Sequence, residues 1–306
     1  MLNTTPYLIY DVFTDTPFGG NPLAIFTRGD DIAPRQMQAI AREMNLSETV
    51  FLLSPTSDVA TAHLRIFMPN GELPFAGHPT IGSITALAGL GLTPDDCSDF
   101  RLTCKAGEII SSFDNANSIA KAIAPLLPYP NGTAPALEEI AIATGLTVQN
   151  FIHPPVNDLW SSGPNFAFAE VKTSEILHSV EINSARFAPI GSGKMVDAAL
   201  VVFCLANIDQ NIIHVRCFSP VEGIQEDPAT GSAAVALSGL LHAKGIVPEG
   251  AETFTVKQGA KMGRPSLIKL STKVKNNNLL QVSIAGSAVK MAEGTFLLPD
   301  NGGGTS

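Results

Sequence analysis

Three ionisable residues stand where proton chemistry is possible: Glu48, His78 and Asp227. Glu48 lies in Asn45-Leu46-Ser47-Glu48-Thr49, where a predicted helix (Pro34 to Met44) hands over to an apolar strand. A carboxyl beside a dry cleft has its charged form disfavoured, which moves its pKa toward the range useful for proton transfer. Taken on these residues alone, a glutamate in such a turn is more readily a solvated residue than an acid/base. His78 and Asp227 each precede a proline and open a run without charge, GHPTIGSITALAGLGL (Gly77 to Leu92) and EDPATGSAAVALSGLL (Glu226 to Leu241). Proline suits the first helical position, and Asp is a favoured N-cap. Asp227 is therefore readable as a cap, and His78 as a histidine satisfied by a backbone carbonyl. Both are also placed to meet a ligand at a helix start, where free N–H groups and the positive dipole end attract a carboxylate. Ser83 and Ser232, near the two starts, are candidate hydroxyl donors.

The two uncharged runs belong to a wider internal echo. His78-Pro79-x-x-Gly82-Ser83 lies on Asp227-Pro228-x-x-Gly231-Ser232. Upstream, Arg65-x-Phe67-x-Pro69 parallels Arg216-x-Phe218-x-Pro220; downstream, Gly91-x-x-Pro94 and Phe100 parallel Gly245-x-x-Pro248 and Phe254. A weaker echo joins IAREMNLSETVF (from Ile40) to IAIATGLTVQNF (from Ile140) and would place Val148 opposite Glu48. A period near 150 residues is a domain rather than a solenoid unit, so the chain reads as two related halves.

A helix apolar on every side must be enclosed. Strand-like runs flank each: YLIYDVF, LAIF, TVFLL, HLRIFM and RLTCKAG in the first half, AALVVFCLA, IIHVRCF, TFTVKQG and SLIKLST in the second. The expected fold is α+β, with two pseudosymmetric domains, each a curled, mostly antiparallel sheet around a central buried helix. The expected boundaries are 1–125 and 126–306, with the last strand, about 280–299, returning to the first domain. Ser111 to Thr133 reads as a connection, and NGGGTS as a disordered tail.

Bulk properties exclude other classes. Hydrophobic residues make up 45% of the 306 and charged residues only 15%, a globular balance. A net charge of -9 with scattered basic residues argues against nucleic acid. Four cysteines (Cys97, Cys104, Cys204, Cys217) lack metal or redox spacing, and Cys204 and Cys217 read as buried thiols. No signal peptide or membrane-spanning run is seen, so the expected location is cytoplasmic. GSGK (Gly191–Lys194) lacks the opening glycine and the closing hydroxyl residue of a P-loop, and the histidines show no metal-ligand spacing. Arg264-Pro265 reads either as a surface turn or as a segment reaching the cleft.

The motifs DVFTDTPFGGNPLAIF (Asp11–Phe26), NLSETVFL (Asn45–Leu52), RIFMPNGELPFAGHPTIGS (Arg65–Ser83), RCFSPVEGIQEDPATGSAAVAL (Arg216–Leu237) and GRPS (Gly263–Ser266) closely resemble the PhzF family, named for the phenazine biosynthesis isomerase. The resemblance covers nearly the whole chain and implies a fold similar to diaminopimelate epimerase, with each sheet closed barrel-like around its helix and the site between two halves. It implies that Glu48 is the acid/base, that His78 and Asp227 orient substrate and tune charge, and that Gly77 and Gly231 offer backbone N–H groups to a carboxylate alongside Ser232. It further implies cofactor-free proton movement, with no metal, on a small carboxylated or unsaturated metabolite, and a homodimer. The stretch Ser111–Val156 matches the family pattern poorly and is a candidate wall of the cleft. No cysteine stands at either helix start, which argues against a two-thiol racemase. Two other readings stay open: a single-carbon epimerase or racemase, and a non-catalytic binding protein on the same scaffold.

Overall fold

The structure is a computed structural model that describes residues 3–94, 98–183, 185–187 and 198–298. Cys97, the GSGK segment and the NGGGTS tail lie outside the described residues. The first half runs β1 (Asn3–Val12), β2 (Asn21–Phe26), α1 (Pro34–Met44), β3 (Glu48–Leu53), β4 (Ala60–Met68), β5 (Gly71–Leu73), α2 (Gly77–Gly89), β6 (Phe100–Cys104), β7 (Gly107–Asp114) and β8 (Ile119–Ile123). After β9 (Tyr129–Thr133) and α3 (Leu137–Thr144) comes the second half: β10 (Asp158–Ser161), β11 (Asn165–Glu170), α4 (Ser174–Ser179), β12 (Ala198–Asn207), β13 (Ile212–Ser219), β14 (Ile224–Asp227) and α5 (Gly231–Ala243). It continues through β15 (Gly250–Gln258), β16 (Ser266–Lys275) and β17 (Asn278–Gly286), and β18 (Ala288–Leu298) ends the described chain.

Strand pairing makes the duplication explicit. From one edge the order is β18-β1-β2-β3-β4-β6-β7-β8, with β5 beside β4. From the other it is β9-β10-β11-β12-β13-β15-β16-β17, with β14 beside β13. The two runs join where β8 pairs antiparallel with β17. Parallel pairs fall at matching places, β2–β3 and β4–β6 against β11–β12 and β13–β15. The outermost strands are exchanged: β9 follows the first half in sequence but pairs with β10, and β18 follows the second half but pairs with β1.

The sheet curls around α2 and α5. Helix α2 packs on β1, β2, β3, β7 and β8, and α5 on β10, β11, β16 and β17. From Gly231 to Leu241 every residue of α5 is buried, as are the first eight residues of α2. The hydroxyls that this enclosure would strand are bonded inside the helices: Thr80 donates to Ala76 O, Ser83 to Pro79 O and Ser238 to Val235 O. Ser83 is thereby committed and does not serve as a donor to a ligand.

The symmetry corrects the register of the echo. Both central helices begin at a glycine, Gly77 and Gly231, a separation of 154 residues. Gly91 to Gly245 and Phe100 to Phe254 have the same separation. So do Glu72 and Glu226, which pair with Arg65 and Arg216; each guanidinium lies 5.0 Å above a ring, Phe67 or Phe218. The structural partner of His78 is therefore Ser232, and that of Asp227 is Leu73. The His-Pro and Asp-Pro motifs look alike but are displaced by five residues from true equivalence. The weaker echo also fails: α1 lies between β2 and β3, whereas α3 precedes β10. Strand pairing opposes Thr49 to Phe67 and Leu200 to Phe218, so the counterpart of Glu48 is Ala199, not Val148.

Two further expectations change. Ser111 to Thr133 is not a plain connection, since it completes β7 and contains β8 and β9. Its short strands, including the Pro- and Gly-bearing YPNGT, owe their extended form to partners far along the chain, and an edge position tolerates that composition. Helix α5 does not begin at Pro228. Asp227 ends β14, and Thr230 is the residue before the helix.

At their starts α2 and α5 touch. A Cβ on Gly77 would sit 2.5 Å from Gly231 Cα, and one on Gly231 2.9 Å from Gly77 Cα. Only hydrogen fits at either position. Gly231→Ala is expected to destabilise the fold by about 1–3 kcal/mol through overpacking. Urea unfolding measures this, and a midpoint equal to that of the unmodified protein would contradict the contact.

Candidate active site

Glu48 is the first residue of β3, and strand pairing sets it beside Leu23. His78 is the second residue of α2, and Asp227 the last of β14. The fold brings these three together from three elements and both halves. His78 Nε2 lies 3.3 Å from Glu48 Oε2. Ser47, the neighbour of Glu48, donates its hydroxyl to Asp227 Oδ1 at 3.0 Å.

Asn21, the first residue of β2, organises the cluster. Its Nδ2 donates to Asp227 Oδ1 (2.9 Å) and Ala229 O (3.0 Å), and lies 3.2 Å from His78 Nδ1. Flipping the amide would set its oxygen against a carboxylate and a carbonyl, so the amide nitrogen must face them. His78 Nδ1 is then an acceptor, and the neutral ring carries its proton on Nε2, toward Glu48. Asp227 has a third donor, Thr230 Oγ1, at 2.6 Å on Oδ2. Gln258 Nε2 holds the Asp227 backbone oxygen (2.7 Å) and Thr230 Oγ1 (2.9 Å).

These contacts divide the charges. Burial, followed by the negative charges of Asp227 and Glu222, holds Glu48 well above the ordinary glutamate range. Burial also raises Asp227, but hydrogen bonds from Thr230, Ser47 and Asn21 pull it back toward the ionised form. Two close carboxyls cannot easily both ionise. The one with three donors keeps the charge. Glu48, with Oε2 buried and without a hydrogen-bond partner, is the one whose protonated form is favoured. Burial lowers His78 to about 3, so its ring is neutral in ordinary buffers.

The cavity beside these groups has a volume of about 70 Å³. Glu48, Met68 and Leu73 face it from the first half; Phe166, Ala199, Cys217, Glu222, Asp227 and Ser232 are among those facing it from the second. His78, Gly77 and Gly231 do not line it, and no residue of 111–156 forms its wall among the described residues. Ser232 is 5% exposed, and its hydroxyl has no partner among the described residues. Its carbonyl accepts from Ser162 at 2.8 Å. Neither α2 nor α5 has a side-chain cap at its start. Thr230, placed to cap α5, gives its hydroxyl to Asp227 instead. The first-turn amides of two touching helices are therefore left without a side-chain acceptor, and their positive ends converge.

Asn21, Ser47, Thr230 and Gln258 were not singled out by sequence reasoning. Asn21 and Ser47 reach Asp227 across 206 and 180 residues, a contact that no local pattern reports. One usable signal was the Gly-Gly-Asn-Pro opening of an otherwise apolar strand, a polar residue at the entrance to a core. Arg264 neither lines the cavity nor makes a bare surface turn; it ties down the segment that leads into Asn21.

Comparison with known proteins identifies the family of the chain. The family model described as phenazine biosynthesis-like protein matches residues 10–294. An uncharacterised isomerase of Mesorhizobium japonicum is 35% identical, over 97% of this chain and 100% of its own length. The trans-2,3-dihydro-3-hydroxyanthranilate isomerase of Pseudomonas fluorescens is 33% identical, over 95% of this chain and 99% of its own. The crystal structure of a PhzF-family phenazine biosynthesis protein from Bacillus anthracis superposes with a TM-score of 0.84 at 27% identity, covering 97% of this chain and 100% of that one. With sequence matched from end to end and the fold matched in both halves, the chain belongs to the PhzF family of isomerases.

Proposed function

We propose that this protein is a cofactor-independent isomerase that moves a proton between two carbons of a small carboxylated, unsaturated metabolite, with Glu48 as the shuttling acid/base. The observation that carries the reading is the environment of Glu48: its side chain is 13% exposed, its Oε2 is buried without a hydrogen-bond partner, and the Asp227 carboxyl nearby is fixed by three donors. When ionised Glu48 takes a proton from a substrate carbon, it relieves its repulsion with Asp227. The C–H electron pair moves into the conjugated system, and the double bond shifts. The neutral Glu48 then returns the proton to a second carbon. The uncapped amides of α2 and α5, with the Ser232 hydroxyl, suit a substrate carboxylate whose negative charge grows as the proton leaves. The neutral His78, whose Nε2 lies 3.3 Å from Glu48 Oε2 without a hydrogen bond between them, is placed to donate to that carboxyl once it ionises.

Asymmetry favours isomerisation over single-carbon racemisation. A racemase of this plan needs a base on each side of the substrate, but the positions equivalent to Glu48 and Asp227 are Ala199 and Leu73. A single shuttling carboxyl returns the proton from the side it took it. The relatives named as dihydro-hydroxyanthranilate isomerases make that compound the first substrate to try. We extend the reading to a homodimer acting in the cytoplasm, both to be checked in cell extract by sedimentation and fractionation.

Incubation of trans-2,3-dihydro-3-hydroxyanthranilate and related unsaturated carboxylates in deuterium oxide is expected to place label at a second carbon. Glu48→Gln should lower that rate at least 100-fold, since loss of a general acid/base costs about 10²–10⁴. Label confined to one inverted carbon would favour racemisation, and unimpaired exchange in Glu48→Gln would reject this role. The pH profile is a second check. Because Glu48 must be ionised to begin and is raised above its ordinary 4.5, kcat/KM should fall with acidity on a limb lying above pH 4.5. The same shift has a stability consequence. A buried acid of raised pKa is accommodated while protonated and costs stability as pH climbs through the folded-state pKa. Glu48→Gln should therefore have the higher melting temperature at pH 8, with the gap closing toward pH 4. A gap independent of pH would argue that Glu48 keeps its ordinary pKa.

A further inference from the structure

Asn21 holds the cluster together, yet its own placement depends on the other half of the molecule. It follows the loop 13–20 between β1 and β2, whose backbone is forced at several points. Phe13 and Phe18, both with side chains, have left-handed φ values of 66° and 68°. Gly20 is left-handed too (φ 60°), and a Cβ there would lie 2.3 Å from Val12 O. A non-glycine residue in this conformation persists only where its surroundings over-determine it.

Arg264, in the turn between β15 and β16 of the second half, supplies much of that determination. Its Nε donates to Gly20 O at 2.8 Å, and its Nη2 to Gly19 O at 2.7 Å and Asp11 Oδ1 at 2.5 Å. The other oxygen of Asp11 accepts the Phe18 amide at 2.8 Å, so the guanidinium and this carboxylate together fix the left-handed residue. Gly20 N donates to Pro265 O at 3.1 Å. The residue immediately before Asn21 is thus held from the opposite half through both its N–H and its C=O. Asp11 is 4% exposed, which makes the pair an internal tie.

The same turn also reaches the cluster from the other side. Gln258, at the end of β15, binds the backbone oxygen of Asp227. Arg264 N returns to Gly259 O at 3.1 Å and closes the turn. A Cβ on Gly259 would lie 2.6 Å from Pro228 O, so the turn lies hard against the residue after Asp227. One short segment, 258–265, therefore grips Asp227 at one end and the approach to Asn21 at the other.

We propose that Arg264 is a positioning residue: by holding Gly19 and Gly20 from the second half, it sets the Asn21 amide against Asp227 and His78. Among the described residues, its side chain bonds to none that lines the cavity and reaches the cluster through the approach to Asn21. The planar fork matters, since three acceptors in different directions are met by one rigid guanidinium, and a lysine ammonium on a flexible stem does not reproduce that geometry. The kinetic arm of the test rests on the isomerase reading above, whereas the spectroscopic arm uses the protein alone.

In the spectroscopic arm, long-range ¹H–¹⁵N correlation of the His78 ring should show one tautomer, protonated at Nε2, in the unmodified protein. It should show a mixture in Arg264→Ala and Arg264→Lys as the Asn21 donor is lost. In the kinetic arm, Arg264→Ala should lower kcat for deuterium transfer about 10–100-fold, the scale expected when reacting groups move by up to about 1 Å. KM should stay within about threefold, and the acidic limb of the pH profile should move, because Asp227 loses a donor. Arg264→Lys and Asp11→Asn should show smaller losses of the same kind, and they carry the test if Arg264→Ala does not fold. A fall in melting temperature with the His78 tautomer, kcat and pH profile all unchanged would overturn the proposal and leave Arg264 as a structural tie. If the unmodified protein proves inactive on every compound tried, the His78 tautomer still decides the role of Arg264.

Discussion

The contact between Gly77 and Gly231 is the constraint from which the rest of this site follows. Two helix starts that touch through bare backbone bring two positive dipole ends to one place, an arrangement unfavourable unless negative charge lies near. The sequence supplies that charge at one remove. Asp227 stands four residues before α5, and Glu48 faces the cavity from β3. Neither caps a helix. The first-turn amides are therefore left without a side-chain acceptor, while burial raises the pKa of both carboxyls and hydrogen bonds offset the rise at Asp227. A dry helix on each side makes this possible, since water at the contact would screen the dipoles and return Glu48 to an ordinary acid.

Symmetry of fold and asymmetry of chemistry coexist here for a simple reason. The repeated parts are those that build the frame: the strand order, the glycine starts and the two Arg–Glu pairs stacked on Phe67 and Phe218. The parts that differ lie at the cavity or just behind it: Glu48 against Ala199, His78 against Ser232 and Leu73 against Asp227. A duplicated scaffold supplies two equivalent helix ends, and substitution at a few inward positions then makes one side basic and the other a place to bind.

Much of this was legible from sequence because it is local. The charge-free runs announced enclosed helices, and the motifs around Glu48, His78, Asp227 and Ser232 named residues that the fold does gather. Local resemblance also misled. His78-Pro79 and Asp227-Pro228 look equivalent, but a longer approach in the second half places Asp227 on a strand rather than on a helix. The clue was available in the constant separation of 154 residues downstream, which the motif pair does not share. What the sequence left hidden is long-range. The amide of Asn21 and the hydroxyl of Ser47 acquire meaning only when β2 and β3 come to face the second half, and β8, though a hairpin partner of β7, is completed by β17, which lies far along the chain.

The exchanged outer strands carry one more consequence. The edge of β1 is covered by β18, some 280 residues later in the chain, and β10 is covered by a strand made before it. During synthesis the amino-terminal sheet must therefore wait with an open hydrogen-bonding edge until almost all of the polypeptide has left the ribosome. Bare edges of this kind recruit other chains. Once β18 arrives it becomes the outermost strand itself, and it carries charged residues, Lys290 and Glu293 among them, of the kind that discourage pairing with other chains.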